Sequence, residues 1–234
     1  MIDTLEVQTY LVISKTSFII YLFEIEKSKT LYYQKLDSEN KIDNIDLDNL
    51  DNFLNENIFK IERLIGKFIK NIYIVLETEN IFDISLGLKK KNYEKKLKEN
   101  FLKNLLIESK DLLQENHNKY KILHMVINKY IINNNIYFNF IKDLNTDYLC
   151  IEINFKCLHE NAIFEITNIL DRYHIKIDKF LDLKYINDLF LDKDIDPSQK
   201  YHQVLNGFNE NEINLVPKNN NKIGFFEKFF QLFG

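Results

Sequence analysis

Glycine, proline, cysteine and tryptophan are scarce in this chain of 234 residues, which has 5, 2, 2 and none of them. With so few glycines there is little to build a phosphate-cradling loop, because such loops need glycine where backbone amides approach the phosphates. Neither a Walker loop nor a dinucleotide fingerprint occurs. The cysteines, Cys150 and Cys157, lie an odd number of residues apart in a strand-like run, which predicts opposite faces and no disulfide. A reducing cytoplasm fits this pattern.

Arginine is also nearly missing, since Arg63 and Arg172 are the only two in the chain. It is the residue most used for bidentate contacts to bases and phosphates. Lysine and arginine total 31 against 35 acidic residues, for a net charge of -4. We therefore expect no nucleic-acid partner, and we interpret lysine runs such as 89–91 as solvated surface.

Long apolar runs and chemical motifs are absent too. No stretch of about 18 apolar residues occurs, so the sequence predicts no membrane-spanning helix. The start, MIDTLEVQTY, has no basic segment before an apolar run, which predicts no signal peptide. No HExxH motif, GxSxG elbow or paired carboxylates stand out, so we expect no metal, no cofactor and no enzyme activity. The histidines lie without metal-ligand spacing, at positions 117, 124, 159, 174 and 202.

What the chain does contain is a regular order of strand-like and helix-like segments. Residues 9–35 are rich in β-branched and aromatic residues with two polar breaks, which predicts three successive strands. Residues 46–68 carry apolar side chains at three- and four-residue steps, the pattern of an amphipathic helix. The run NIYIVLE, residues 71–77, predicts a buried strand.

A second series follows in the order strand, helix, strand, strand, helix, strand. This order predicts an α+β layout with helices on one face of a small sheet. The predicted strands are 81–88, 119–133, 147–158 and 174–181, and the predicted helices are 93–116 and 160–173.

After about residue 191 the periodic pattern ends. Pro197, Gly207, Pro217 and an asparagine run predict a largely irregular linker over 191–221. It leads to GFFEKFFQLFG, whose apolar residues fall in one arc of a helical wheel while Glu227, Lys228 and Gln231 fall in the other.

The final segment, 222–234, is therefore predicted to be a short amphipathic helix. It could dock on the protein's own core or lie in a membrane interface with lysines near the headgroups. The tether before it favours the membrane, and the helix is too short to span a bilayer. The predicted membrane-binding residues are Ile223, Phe225, Phe226, Lys228, Phe229, Phe230, Leu232 and Phe233.

In this order, the segments resemble the FtsA family of bacterial cell-division proteins, actin-like proteins that tether the FtsZ ring to the inner membrane. The family's first hairpin carries a phosphate loop of the form DxGTT, and LVISKTSFIIYLFEI is the matching stretch. Val12 stands where the aspartate would be, Ser14 replaces the glycine and Lys15 the first threonine, while Thr16 is kept. Valine has no acidic group for the metal-phosphate site, and serine lacks the backbone freedom by which glycine lets amides approach the phosphates. The resemblance therefore implies a degenerate loop without a cofactor.

Residues 72–181 carry most of the resemblance. IYIVLETENIFDISLGL is similar to the strand pair that leads into the family's extra subdomain. Leu123, His124 and Tyr130 match a later motif, with Ile127 where proline is usual. The resemblance implies a strand-helix-strand-strand subdomain that mediates self-association and contacts with later division proteins.

The tail is similar to the family's membrane helix, whereas the second actin lobe has no counterpart. The implied fold class is α+β: a truncated actin-like, FtsA-type first lobe with an inserted small sheet packed by two helices, then a flexible linker and an amphipathic helix. The predicted domains are 1–80 for the lobe remnant, 81–190 for the subdomain, 191–221 for the linker and 222–234 for the membrane helix.

These features predict a non-catalytic, FtsA-like adaptor on the cytoplasmic face of the bacterial inner membrane, at the division site. Its expected partners are membrane lipid and divisome proteins, while binding of FtsZ and self-association stay open. One alternative is an ATP-binding actin-like protein with its nucleotide near Thr16. Another is an actin-like platform subunit of a pilus or secretion assembly.

Overall fold

The computed structural model describes residues 5–37, 45–190, 192 and 194–214. Within them the chain forms two compact units. Among the described residues, the first combines the chain up to Ile81 with Leu158–Phe208, and the second combines Phe82–Cys157 with residues 209–214.

Strands and helices follow one another along the described part of the chain. In chain order they are β1 (Val7–Ile13), β2 (Ser17–Glu24), β3 (Lys29–Asp37), α1 (Leu47–Ile65), β4 (Asn71–Leu76), β5 (Ile81–Lys91), α2 (Glu99–Asn116), β6 (Tyr120–Ile132), β7 (Asn135–Tyr137), β8 (Tyr148–His159), α3 (Glu160–Arg172), β9 (Lys176–Asp182), α4 (Leu183–Leu189) and α5 (Pro197–Leu205). This mixture of two sheets and several helices confirms the predicted α+β class.

The first unit is built on a five-stranded sheet in the order β3-β2-β1-β4-β9. The strands β1, β2 and β3 form an antiparallel meander, as predicted for residues 9–35. Strand β4 lies parallel to β1, and β9 lies parallel to β4. The carboxyl ends of β1, β4 and β9 therefore meet at the same edge of the sheet.

Both faces of this sheet are covered by helices. Phe18 of β2 packs against Phe53 of α1, with ring centroids 6.3 Å apart. Side chains alternate between the faces of a strand, so Tyr21 of β2 lies on the other side. There it meets Tyr201 of α5, whose ring also contacts Tyr10 of β1 at 5.4 Å. Each large apolar side chain fully buried in this way contributes about 1.5–3 kcal/mol.

Helix α5 lies inside the stretch predicted to be an irregular linker. Asp196 caps it, because its carboxylate accepts a hydrogen bond from the backbone N–H of Ser198 at 2.9 Å, and Pro197 occupies the first turn. Only Tyr201 and Val204 supply buried apolar side chains. Two apolar positions are too few to show a helical period. The sequence indicates this helix only through its start, where a capping aspartate is followed by proline.

The second unit has a four-stranded sheet in the order β5-β8-β6-β7, with helix α2 on one face. Helix α2 begins at Glu99, six residues after the predicted start at 93. The buried side chains joining helix and sheet include Leu102, Leu105, Leu106, Ile151, Ile153 and Phe155.

Helix α3 and strand β9 were predicted to complete this small sheet, but the structure places them in the first unit. Strand β9 pairs with β4, with Ile74 opposite Phe180, and α3 packs near α1. The contact between α1 and α3 includes Arg172, whose guanidinium lies 3.0 Å from the carboxylate of Asp51. The predicted second helix of the small sheet is therefore a helix of the larger one.

Candidate functional site

The carboxyl edge of the five-stranded sheet is where the predicted loop lies. Parallel strands present their carboxyl ends together, and ligands of such sheets bind outside those ends. The loop Ser14–Thr16 joins β1 to β2 there, Glu77 and Glu79 follow β4, and Asp182 ends β9. We call these residues the carboxyl edge.

The loop is closed by its own serine side chain. The backbone N–H of Ser14 donates to the carbonyl oxygen of Ser17 at 2.9 Å. The Oγ of Ser14, which is buried, accepts from the backbone N–H of Thr16 at 3.3 Å and of Ser17 at 3.0 Å. The backbone amides of Ser14, Thr16 and Ser17 are thus hydrogen-bonded inside the loop rather than available to a phosphate.

The lysine of the loop is also occupied. Lys15 forms an ion pair with Glu79, and this hydrogen-bonded contact raises the pKa of the Lys15 ammonium group. The same contact lowers the pKa of the Glu79 carboxyl group. Glu77 adds a further negative charge near Lys15. The one cation of the loop therefore faces carboxylates of the chain itself.

Val12, the position of the family's aspartate, is a buried apolar side chain in the sheet. Asp182 at the end of β9 accepts a hydrogen bond from the backbone N–H of Lys184 at 2.9 Å and caps α4. The loop has closed amides, a paired lysine and no acidic group at Val12, so these residues do not fit the phosphates and metal of a nucleotide. In the described ranges, no group of three or more histidine, cysteine or acidic side chains is arranged to hold a metal ion.

A second polar centre lies in the second unit, where residues 211–213 pair with β6. The N–H of Ile127 donates to the carbonyl oxygen of Asn211 at 2.9 Å, and the N–H of Ile213 donates to that of Met125 at 2.8 Å.

A buried pair holds this segment. Nδ1 of His124 lies 2.8 Å from Oε1 of Glu212, with 0% and 2% of the two side chains exposed. Sequence reasoning missed it because Glu212 lies in the predicted linker, and only the short run INLV after it is strand-like. His124, a match to the family motif, is thus a core residue that fixes the segment 211–213 to β6.

The predicted membrane-binding residues lie outside the described residues. They are Ile223, Phe225, Phe226, Lys228, Phe229, Phe230, Leu232 and Phe233. Within the part of the chain that the structure describes, no helix has the length and apolar character needed to cross a membrane.

No protein-family model matches the chain, and the search of curated proteins gives no match. Among solved structures, the chain is similar to the PilM–PilN type IV pilus biogenesis complex, at 8% identity over 78% of this chain and 48% of that chain, with a TM-score of 0.48. It is also similar to the cytoplasmic domain of EpsL, an inner membrane component of the type II secretion system of Vibrio cholerae, at 8% identity, 76% and 57% coverage and a TM-score of 0.39. A third is a Bacteroides thetaiotaomicron protein with an actin-like ATPase fold and unknown function, at 14% identity, 80% and 57% coverage and a TM-score of 0.33.

The chain spans about half the length of these solved structures, from 48% to 57%. At identities of 8–14% the likeness concerns the fold alone. The resemblance to FtsA in particular stays a prediction.

Proposed function

We propose that this chain is a non-catalytic adaptor that organises protein partners at a membrane surface, as a platform subunit of a pilus or secretion assembly. The observation that carries the non-catalytic role is the closed loop at the carboxyl edge. Its amides are bonded to Ser14 Oγ, and Lys15 is paired with Glu79. At the edge where such sheets bind ligands, the amides of Thr16 and Ser17 and the ammonium group of Lys15 are therefore already bonded within the chain.

The membrane role is proposed for the C-terminal peptide 222–234. Its aromatic face can enter the lipid headgroup boundary without crossing the bilayer. Ile213 donates a hydrogen bond to β6, so the peptide follows a segment fixed to the second unit. The adaptor would then hold this unit against the cytoplasmic face of the inner membrane.

Vesicle co-sedimentation tests the membrane role. The intact protein should sediment with vesicles containing anionic lipid, whereas the Phe226→Asp/Phe230→Asp variant should stay in the supernatant. Gln231→Asp is a matched control, because it adds one negative charge to the polar face and leaves the aromatic face intact. It should weaken binding by only about 1 kcal/mol, the electrostatic part of the effect. Equal binding by the intact protein and the double variant would overturn the membrane role.

The choice of process comes from the proteins of similar fold, because two of them are described as parts of pilus and secretion machinery. The second candidate is an FtsA-like division adaptor, which the sequence resemblance of residues 72–181 and of the tail favours. A fluorescent fusion to the intact chain separates the two. Polar or dispersed foci are expected for a platform subunit, and a band at midcell would instead support the division role.

A further inference from the structure

Strand β5 is the long outer strand of the sheet in the second unit. It runs over 11 residues and pairs with β8 on one side, and no described strand lies on its other side. The opposite edge of the sheet has a different structure. At that edge β7 has only 3 residues, and residues 211–213 pair with an earlier part of β6, at residues 125–127. Among the described residues, one edge is thus short and partly covered by the chain itself, whereas the other is long and has no neighbouring strand.

The two faces of β5 have different surroundings. Its even-numbered residues from Phe82 to Leu88 are partly buried against the core beneath α2. Its odd-numbered residues lie on the exposed face, and Asp83 is 54% exposed although it accepts from Lys156. A row of unpaired backbone groups beside such a face is a template for a further strand. The open edge can therefore accept a strand without disturbing the core.

One pair of charges on β5 is complementary about its glycine, while Lys89 and Lys90 fall opposite the uncharged Ser85 and Ile84. Asp83 lies four residues before Gly87, and Lys91 lies four residues after it. In an antiparallel pair of two β5 strands centred on Gly87, each Asp83 stands directly opposite Lys91 of the other copy. Cross-strand pairs of opposite charge stabilise a ladder, whereas like charges destabilise it. A parallel, in-register pair would instead place aspartate against aspartate and lysine against lysine.

We propose that two copies of this chain associate through β5, in an antiparallel and two-fold symmetric ladder centred on Gly87. Such an interface uses the same surface of both copies, as most homodimers do. The backbone groups of both edges are satisfied at once, and two four-stranded sheets become continuous. This inference goes beyond the proposed function, because the pairing needs neither lipid nor another protein.

Cysteine cross-linking tests the register. Centring on Gly87 brings the two Gly87 Cα atoms to about 4.5–5.5 Å, within the range of about 4.4–6.8 Å that a disulfide spans. An added Cβ at Gly87 meets no atom within 4 Å, so the side chain fits the folded unit. In a Cys150→Ser background, Gly87→Cys should give a covalent dimer on a non-reducing gel after mild oxidation.

Ser85→Cys is the matched control. Its counterpart in the other copy lies four positions along the ladder, about 13 Å away, which is too far for a disulfide. Cross-linking of Gly87→Cys alone supports the register. Equal cross-linking of both variants would overturn the register. Cross-linking of neither would overturn the proposal, and this is the result expected if the chain's own C-terminal residues cover the edge.

Charge reversal tests the pairing without cysteine. Asp83→Lys or Lys91→Asp alone places like charges opposite each other at both ends of the ladder, and should weaken dimerisation about tenfold by sedimentation equilibrium. The double variant restores opposite charges and should recover the affinity of the unchanged protein. Circular dichroism checks that each variant is folded. A double variant as weak as the single ones, or an unchanged protein that is monomeric throughout, would contradict the proposal.

Discussion

The buried pair of His124 and Glu212 makes the stability of the second unit depend on a residue far along the chain from β6. Glu212→Ala removes the carboxylate that faces the imidazole. Because 0% of the His124 side chain is exposed, water cannot easily replace the lost partner. We therefore expect a marked loss of stability.

The size of the loss follows from what is left behind. Breaking a buried ion pair by removing one partner costs about 3–5 kcal/mol, and leaving a buried neutral donor unsatisfied costs about 1–3 kcal/mol. We expect about 3 kcal/mol for Glu212→Ala, where the two ranges meet. With a urea dependence of about 2 kcal/mol per molar, the unfolding midpoint should fall by about 1.5 M.

The assay is urea unfolding followed by circular dichroism, with amide hydrogen exchange at Ile127 and Ile213. Glu210→Ala is the matched control, because it removes the same charge from a less buried side chain two residues away. It should change stability by less than about 0.5 kcal/mol. In Glu212→Ala, exchange at both amides should also accelerate, since their hydrogen bonds hold the same segment. Midpoints that fall equally in both variants would refute this reasoning.

Three further predictions concern single side chains. Ser14→Ala removes the hydroxyl that closes the loop and should cost about 1–2 kcal/mol, seen as a fall in melting temperature that the exposed control Thr16→Ala does not show. The pKa of the Glu24 carboxyl group is lowered chiefly by its hydrogen bond with Lys27. The stability that this carboxylate contributes is complete above pH 4.5 and is lost as pH falls through the lowered pKa. Urea unfolding should therefore show Glu24→Gln to be less stable than the unchanged protein at pH 7 and equally stable in acid. Burial raises the pKa of the Cys157 thiol to about 11, so a thiol reagent at about pH 8 should label Cys150 alone until urea is added; rapid labelling of both would contradict this.

Elements with local signals were predictable from the sequence. Helix α1 was predicted over 46–68 and runs over Leu47–Ile65. Asp46 caps its start through the N–H of Asn49, and Gly66 ends it with a positive φ of 67°. Both boundary residues are of the types that begin and end helices, so the sequence contained the limits as well as the period.

Elements decided by distant partners were not predictable. Strand β9 has an ordinary strand pattern, but its place beside β4 depends on pairing residues as far apart as Ile74 and Phe180. Helix α5 shows too little periodicity because Tyr201 and Val204 are its only buried apolar residues. A residue's local pattern does not say which of two sheets it will join.

The candidate site divides in the same way. The loop was placed correctly between β1 and β2, because strand limits and polar breaks are local features. Its closure by Ser14 depends on backbone geometry, and the pairing of Lys15 with Glu79 depends on the parallel position of β4. The composition of the loop predicts that phosphate binding is lost, and this stays a prediction. The contacts of Ser14 and Lys15 that bear on it could not be read from the sequence.

Isothermal titration calorimetry of ATP with Mg²⁺ into the intact protein tests the central claim most directly. The closed loop and the paired Lys15 predict no saturable heat even at millimolar nucleotide. A saturable isotherm with a dissociation constant in the micromolar range would contradict the account. The carboxyl edge would then bind phosphates although its amides and Lys15 are already bonded within the chain.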